Sequence, residues 1–214
     1  MDEEITIINK STKNEKIKSF FIKNKKNIIV VISIIIFIIL GYFIIVELKE
    51  RDKIKLANQF NLATIYFKDE EKQKTVDELK NIVNQKDVTY SPLALYFLID
   101  NSLIDNNDEI NKLFDQLINE TNLEKEIKNL IIYKKGLFNS NFAPENVLIK
   151  ILNPIINSES IWKSHALYLL GEFFYSKDES QKAKEFFNQI MILPDSNNNI
   201  KLQAKKRLNR DLSE

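Results

Sequence analysis

The sequence has no cysteine, and it contains only three glycines, four prolines and one histidine among 214 residues. Without cysteine the chain forms no disulfide, thiolate nucleophile, zinc–thiolate site or cysteine-linked lipid anchor. Three scattered glycines cannot build a glycine-rich phosphate loop, and the shortage of glycine and proline favours long helices. The histidine, His165, has no second histidine or cysteine nearby to share a metal ion. We therefore predict no metal site and no cofactor.

Composition and spacing also argue against catalysis and nucleic-acid binding. The formal net charge is only +1, so nothing global attracts a polyanion. Ser164 and His165 do not form a nucleophile–base pair, because adjacent helical residues point apart. The acidic run Asp69-Glu70-Glu71 lies in a polar stretch typical of a solvated turn. We predict that the chain is not an enzyme, binds no nucleic acid and has no small-molecule substrate.

One long hydrophobic run stands near the N-terminus. Residues 28–46, IIVVISIIIFIILGYFIIV, form 19 uncharged residues with ten isoleucines. As a helix they span roughly 28 Å, close to the hydrocarbon thickness of a bilayer. A core helix of a globular protein would have a polar side, and this run has none. The run also lacks the small-residue cleavage site of a signal peptide. We predict a retained transmembrane signal anchor over residues 27–46, which would contact membrane lipid.

Flanking charge indicates the orientation. Residues 1–26 carry seven lysines and four acidic residues. Six lysines lie in residues 12–26, just before the anchor, and four basic residues lie in residues 47–61, just after it. This modest bias keeps the tail in the cytoplasm. We predict a basic cytoplasmic tail over residues 1–26 and, in a Gram-negative cell, a periplasmic C-terminal domain over residues 47–214. The tail could instead lie on anionic lipid, and a reversed chain would favour a cytoplasmic role in assembly.

The C-terminal domain contains an internal repeat. Small or apolar residues recur at nearly regular intervals, and each is followed at positions i+12 and i+16 by further such residues or threonine. The four sets are Ala63, Thr75, Leu79; Leu98, Ile110, Phe114; Gly136, Leu148, Leu152; and Gly171, Ala183, Phe187. This spacing predicts helical hairpins of about 34 residues, with the second and third residues of each set facing the first helix. Polar breaks separate the helices, and Pro154 should kink or end the sixth of them.

The last unit carries the most specific motif. Residues 166–195, ALYLLGEFFYSKDESQKAKEFFNQIMILPD, contain Leu170-Gly171, Phe174, Ala183, Phe187 and Pro194, which resemble the tetratricopeptide signature. A stripe of Ile200, Ala204, Leu208 and Leu212 is typical of a capping helix. The whole chain resembles the bacterial family of membrane-anchored tetratricopeptide-like proteins that includes the ancillary subunit of the Sec translocon. The resemblance implies an all-α fold: one transmembrane helix, an α-solenoid of about four tetratricopeptide-like hairpins, and a C-terminal capping helix.

The resemblance also implies a function and a binding surface. We expect an inner-membrane scaffold at the Sec translocon that contacts translocon subunits, exported proteins or periplasmic chaperones. The alternative is a scaffold of another envelope machine, in cell-wall synthesis or outer-membrane assembly. By resemblance, the binding groove is lined by first-helix positions of each hairpin. These positions give the partner-binding candidates Phe60, Leu95, Tyr133, His165, Tyr168, Glu172 and Tyr175. The same side chains could instead pack between neighbouring first helices, as Trp162 is expected to do at a helix start.

Overall fold

A computed structural model describes residues 18–65, 67 and 72–212 of the chain. Residues 1–17 of the predicted tail and the acidic run at residues 69–71 lie outside the described residues. The part that is described is helical and contains no strand, which confirms the predicted all-α class. Its helices are α1 (Lys25–Ile65), α2 (Lys72–Asn84), α3 (Tyr90–Asp100), α4 (Asn107–Glu120), α5 (Lys125–Asn139), α6 (Glu145–Ile156), α7 (Lys163–Tyr175), α8 (Ser180–Ile192) and α9 (Asn198–Lys206). A short helix over residues 18–23 precedes α1, and a π-helical turn, Arg207–Asp211, follows α9.

The chain divides into two compact units between Lys55 and Leu56. In the first unit, the uncharged run lies within α1, and none of its side chains is buried. This helix is long and apolar enough to cross a membrane. With no glycine or proline between Gly41 and Pro92 to interrupt it, α1 continues unbroken to Ile65.

The second unit is built from helices that pack against their neighbours along the chain. From α2 onward each helix contacts the next, and α7 with α8 forms the most extensive pair. The first two predicted hairpins differ from the pattern, because α2 makes its most extensive contact with α3, and α4 makes its most extensive contact with α5. Two clusters of buried side chains form the core: one runs from Leu56 to Ile131 and the other from Ile132 to Leu212.

All twelve positions of the repeating pattern are buried. In the two units that begin with glycine, the contact between positions i and i+16 is direct. A Cβ placed on Gly136 would lie 2.5 Å from Cδ2 of Leu152, and one placed on Gly171 would lie 2.5 Å from Cε1 of Phe187. A side chain at Gly171 would therefore overlap the Phe187 ring, and one at Gly136 would require the flexible end of Leu152 to shift. The pattern correctly predicted which residues meet inside these hairpins.

Helix ends use side chains and backbone turns that suit a chain with little glycine. Asn106 caps α4 by accepting hydrogen bonds from the backbone N–H of Asp108 and Glu109 at 2.9 and 3.2 Å. Both acidic residues also lie at the positive end of the helix dipole. Beyond α3 and α7, Ser102 and Asp178 adopt positive φ where glycine is usual, and each closes a Schellman turn.

The proline inside α6, predicted to kink or end that helix, lies close to its C-terminal end. The helix continues through Pro154 and ends at Ile156, where Asn157 forms the C-cap. Because Pro154 lies in the last turn, the missing N–H removes a single bond of the helical ladder. The predicted capping stripe is confirmed as a packed face, since Ile200, Ala204, Leu208 and Leu212 all belong to the second core cluster.

Candidate interaction surface

The fifth position of each predicted hairpin is occupied by Phe60, Leu95, Tyr133 and Tyr168. Leu95 has no exposed surface and is a core residue in this structure. Phe60 is half-buried, and its ring centroid lies 5.9 Å from that of Tyr90. Tyr133 and Tyr168 are also half-buried. Leu95 therefore has no surface to offer a partner, and the three aromatic residues remain as candidates.

Tyr133 belongs to an aromatic cluster between α5 and the start of α7. Its ring stacks on Trp162 with centroids 5.7 Å apart and planes inclined by 20°, and His165 lies edge-on at 5.8 Å. Trp162 forms the N-cap of α7, so its predicted packing at a helix start is confirmed. Burial raises the pKa of the Tyr133 hydroxyl and lowers that of His165, an effect on His165 that the Ile161 backbone partly opposes. The pKa of His165 thus moves below 6.5, which favours the neutral imidazole at pH 7.

The other three candidates on α7 contact the C-terminal end of the described chain. The guanidinium of Arg207 donates from Nε to Oε1 of Glu172 at 2.7 Å and from Nη2 to Oε2 at 2.6 Å. The Cζ atom of Arg207 also lies 4.7 Å from the centroid of the Tyr175 ring. Burial is the main cause that raises the pKa of Tyr168, and the neighbouring Glu172 raises it further. In this structure the chain itself occupies part of the predicted groove.

A second carboxylate holds the same guanidinium. Asp211 Oδ2 accepts from Nη1 of Arg207 at 2.9 Å. Hydrogen bonds first from Arg210 and then from Arg207 lower the pKa of Asp211 to about 2. The pKa of Arg207 is raised, chiefly by its hydrogen bonds to Glu172, so the guanidinium stays charged at every accessible pH.

A cavity of about 360 Å³ opens between α3 and α5 and is called here the α3–α5 cavity. It is lined mainly by aromatic and aliphatic side chains: Tyr96, Ile99, Phe114, Leu137, Phe138 and Phe142, with Asp100, Lys134 and Asn141 as its polar members. The Tyr96 hydroxyl is buried and has no hydrogen-bond partner among the described residues, and burial raises its pKa to about 12. The ammonium of Lys134 lies 5.6 Å from the centre of the Tyr96 ring. Leu137 and Phe142 are 42% and 47% exposed, so the cavity continues into an apolar surface.

The sequence did not predict the α3–α5 cavity, because the groove positions carried over from the tetratricopeptide family do not include the positions that line it. With Leu98 and Gly136 as eighth positions, Tyr96 and Lys134 are sixth positions, one place beyond the predicted fifth. Ile99 and Leu137 hold the ninth position, which was used only in the last hairpin for Glu172. A recurring apolar residue at the ninth position was the available signal.

A second cavity, of about 460 Å³, lies between α4 and α6 with α5 along one side. Four of its polar side chains are paired with one another. Asn111 and Asn139 exchange two amide hydrogen bonds of 3.1 and 2.8 Å, and Lys135 contacts Asp115 at 2.7 Å. These bonds tie α4 to α5 and leave few polar groups for a ligand, so this cavity is a weaker candidate.

The described residues contain no group of three or more histidine or acidic side chains able to hold a metal ion. Ser164 is buried, and its hydroxyl accepts a hydrogen bond from the backbone N–H of Asn197 at 3.3 Å. His165 lies among aromatic rings, and its Nδ1 atom has no hydrogen-bond partner within the described part of the chain. Ser164 is therefore engaged with the residue that precedes α9, and the His165 ring is packed among aromatic side chains.

Comparison with models of protein families, with curated protein sequences and with solved structures found no match.

Proposed function

We propose that the chain is a membrane-anchored scaffold that binds other proteins through a tetratricopeptide-like array of four hairpins and a capping helix. The apolar part of α1 anchors it in the inner membrane, with the N-terminus in the cytoplasm and the helical array in the periplasm. It acts as an ancillary factor at the Sec translocon and contacts exported proteins or periplasmic chaperones. It is not an enzyme.

Hydrogen bonds between neighbouring units support the proposal of a repeat array. Hydrogen bonds join residues that are 33 to 37 positions apart, close to the 34-residue unit. Lys125 donates to the backbone oxygen of Glu159 at 2.9 Å, and the hydroxyl of Ser160 donates to the Glu126 carboxylate at 2.8 Å. Lys182 likewise contacts Glu145 at 2.8 Å. In the C-terminal half, the third hairpin thus contacts the fourth, and the fourth contacts residues 197–207, through residues about one repeat unit apart, as expected where neighbours complete one another's core.

The α3–α5 cavity is the observation that carries the binding function. A pocket of this size, lined by aromatic side chains and bearing few polar groups, is typical of ligand or peptide sites. An unpartnered buried hydroxyl is unfavourable by about 1–3 kcal/mol, which a partner's carbonyl oxygen at Tyr96 would offset. The half-exposed Leu137 and Phe142 extend the same surface outward. An extended peptide fits both the apolar surface and the unpartnered hydroxyl, because it can place an apolar side chain in the cavity and a backbone carbonyl oxygen at Tyr96.

Photo-crosslinking in native membranes tests this proposal. A photoreactive amino acid at Leu137 or Phe142 should capture other proteins, which mass spectrometry then identifies. Ile192 provides the matched control, because it is apolar and 81% exposed but lies on α8, away from the cavity. Equal capture at Ile192 would contradict a specific site at the cavity. Translocon subunits, exported proteins or chaperones among the crosslinked products would support the role at the Sec translocon.

A scaffold of another envelope machine is the second candidate, favoured by the same repeated pattern, which specifies no partner. Crosslinked products from cell-wall synthesis or outer-membrane assembly would establish this role in place of the first.

A further inference from the structure

The face of α7 that carries Tyr168, Glu172 and Tyr175 is occupied by residues 207–212, called here the C-terminal segment. Its contacts have the chemistry of a recognition site: a bidentate guanidinium–carboxylate pair and a cation over an aromatic ring. Leu212 adds an apolar anchor, since only 5% of its surface is exposed. We propose that this face of α7 binds an arginine-bearing segment of a partner protein, and that the C-terminal segment occupies the site until the partner displaces it. The proposal rests on the proposed scaffold function and adds the chemistry of the partner.

The charge arrangement argues for an arginine in the incoming segment. Glu172 presents both carboxylate oxygens to one guanidinium, a geometry that lysine cannot reproduce with its single ammonium. The side chains of Glu172 and Arg207 remain 28% and 27% exposed, so a competing group can reach the pair from solvent. Tyr175 supplies the ring over which a planar cation stacks.

The backbone of the C-terminal segment suits a displaceable occupant. It leaves the α-helical pattern after Lys206 and forms a π-helical turn closed by the Leu212 N–H to the Arg207 oxygen at 3.1 Å. Such turns are rare in proteins, and those that do occur are often found at functional sites. A tethered segment has a high effective concentration at its site, so a partner competes successfully only with several matching contacts. The tether therefore favours specific partners over isolated arginine side chains.

A peptide-competition experiment on the full chain in detergent tests the proposal. The probe is a fluorescent peptide with the sequence of residues 205–212, KKRLNRDL, and the control peptide has alanine in place of the arginine that corresponds to Arg207. Arg207→Ala weakens the chain's own occupant, so we expect this variant to bind the probe at least about tenfold more tightly than the wild-type chain does. Combining Arg207→Ala with Glu172→Gln should remove this gain in affinity. The control peptide should bind Arg207→Ala no more tightly than it binds the wild-type chain.

Arg51→Ala is the matched control variant. Arg51 also pairs with a carboxylate, Glu47 at 2.8 Å, but it lies in the first unit. This variant should bind the probe as the wild type does. Equal probe affinity in the wild type and in Arg207→Ala, or equal binding of both peptides, would overturn the proposal.

Arg207→Lys keeps the experiment decisive if Arg207→Ala does not fold. It retains the positive charge but loses the bidentate contact, and we expect a gain of a few-fold. If Arg207→Lys shows no gain, the C-terminal segment is only a structural cap. The outcome is separable from the crosslinking experiment, because probe binding needs no natural partner, and crosslinks at Leu137 or Phe142 do not depend on Arg207.

Discussion

Gly171→Ala tests how closely α7 and α8 approach each other. The added Cβ would lie 2.5 to 2.8 Å from three ring atoms of Phe187, whereas carbon atoms normally separate by about 3.5–4.0 Å. Phe187 is fully buried, and its ring centroid lies 5.5 Å from that of Tyr168, so the ring cannot move by about 1 Å without disturbing its neighbours.

Two opposing effects set the magnitude of this change. Overpacking of a close-packed core costs roughly 1–3 kcal/mol, and replacing a mid-helix glycine by alanine returns about 1 kcal/mol. With a rigid ring as the obstacle we take the upper part of the first range, which leaves a net loss of about 1–2 kcal/mol. The midpoint of thermal unfolding should fall by about 2–8 °C, and Gly171→Leu should lower it further.

The assay is thermal unfolding of the full chain in detergent, followed by circular dichroism. Gly136→Ala should be tolerated better, because the obstacle there is the flexible end of Leu152. Gly41→Ala is the control, since no atom lies within 4 Å of the added Cβ. Phe187→Leu removes the outer ring atoms, so combining it with Gly171→Ala should restore about 1 kcal/mol relative to the sum of the two single changes. An unchanged or raised midpoint in Gly171→Ala would refute the packing argument.

Three further predictions concern the membrane and the binding surface. The apolar helix should keep the chain in carbonate-washed membranes with its N-terminal residues intact, and a mature N-terminus near residue 47 would contradict a retained anchor. A reporter active only in the periplasm, fused after Glu214, should be active because lysines flank the anchor on its N-terminal side, and activity of a cytoplasmic reporter instead would reverse the orientation. Changing Tyr133, Tyr168 and Tyr175 to alanine, singly and together, should weaken partner capture per folded molecule by about 1 kcal/mol or more each. A loss of stability without a loss of capture per folded molecule would identify these tyrosines as core residues.

Local pattern was sufficient to predict much of the helical framework. The uncharged run predicted the long apolar helix because its length and composition are those of a membrane-spanning helix. The i, i+12, i+16 spacing predicted the buried positions because residues i+12 and i+16 lie on one face of the second helix, turned toward residue i on the first. Even the close contact of Gly171 with Phe187 follows from this spacing and from the absence of a glycine side chain.

Contacts between distant residues were decided only by the tertiary structure. Leu95 and Tyr133 hold the same place in the repeat, yet Leu95 is fully buried and Tyr133 stacks on Trp162 at 5.7 Å, because burial depends on which helix lies alongside. The α3–α5 cavity joins Tyr96 to Phe142, a combination that no local period encodes. Arg207 reaches Glu172 from 35 residues away. Sequence periodicity determines which face of a helix is apolar, whereas the helices packed against that face determine which of its residues stay accessible.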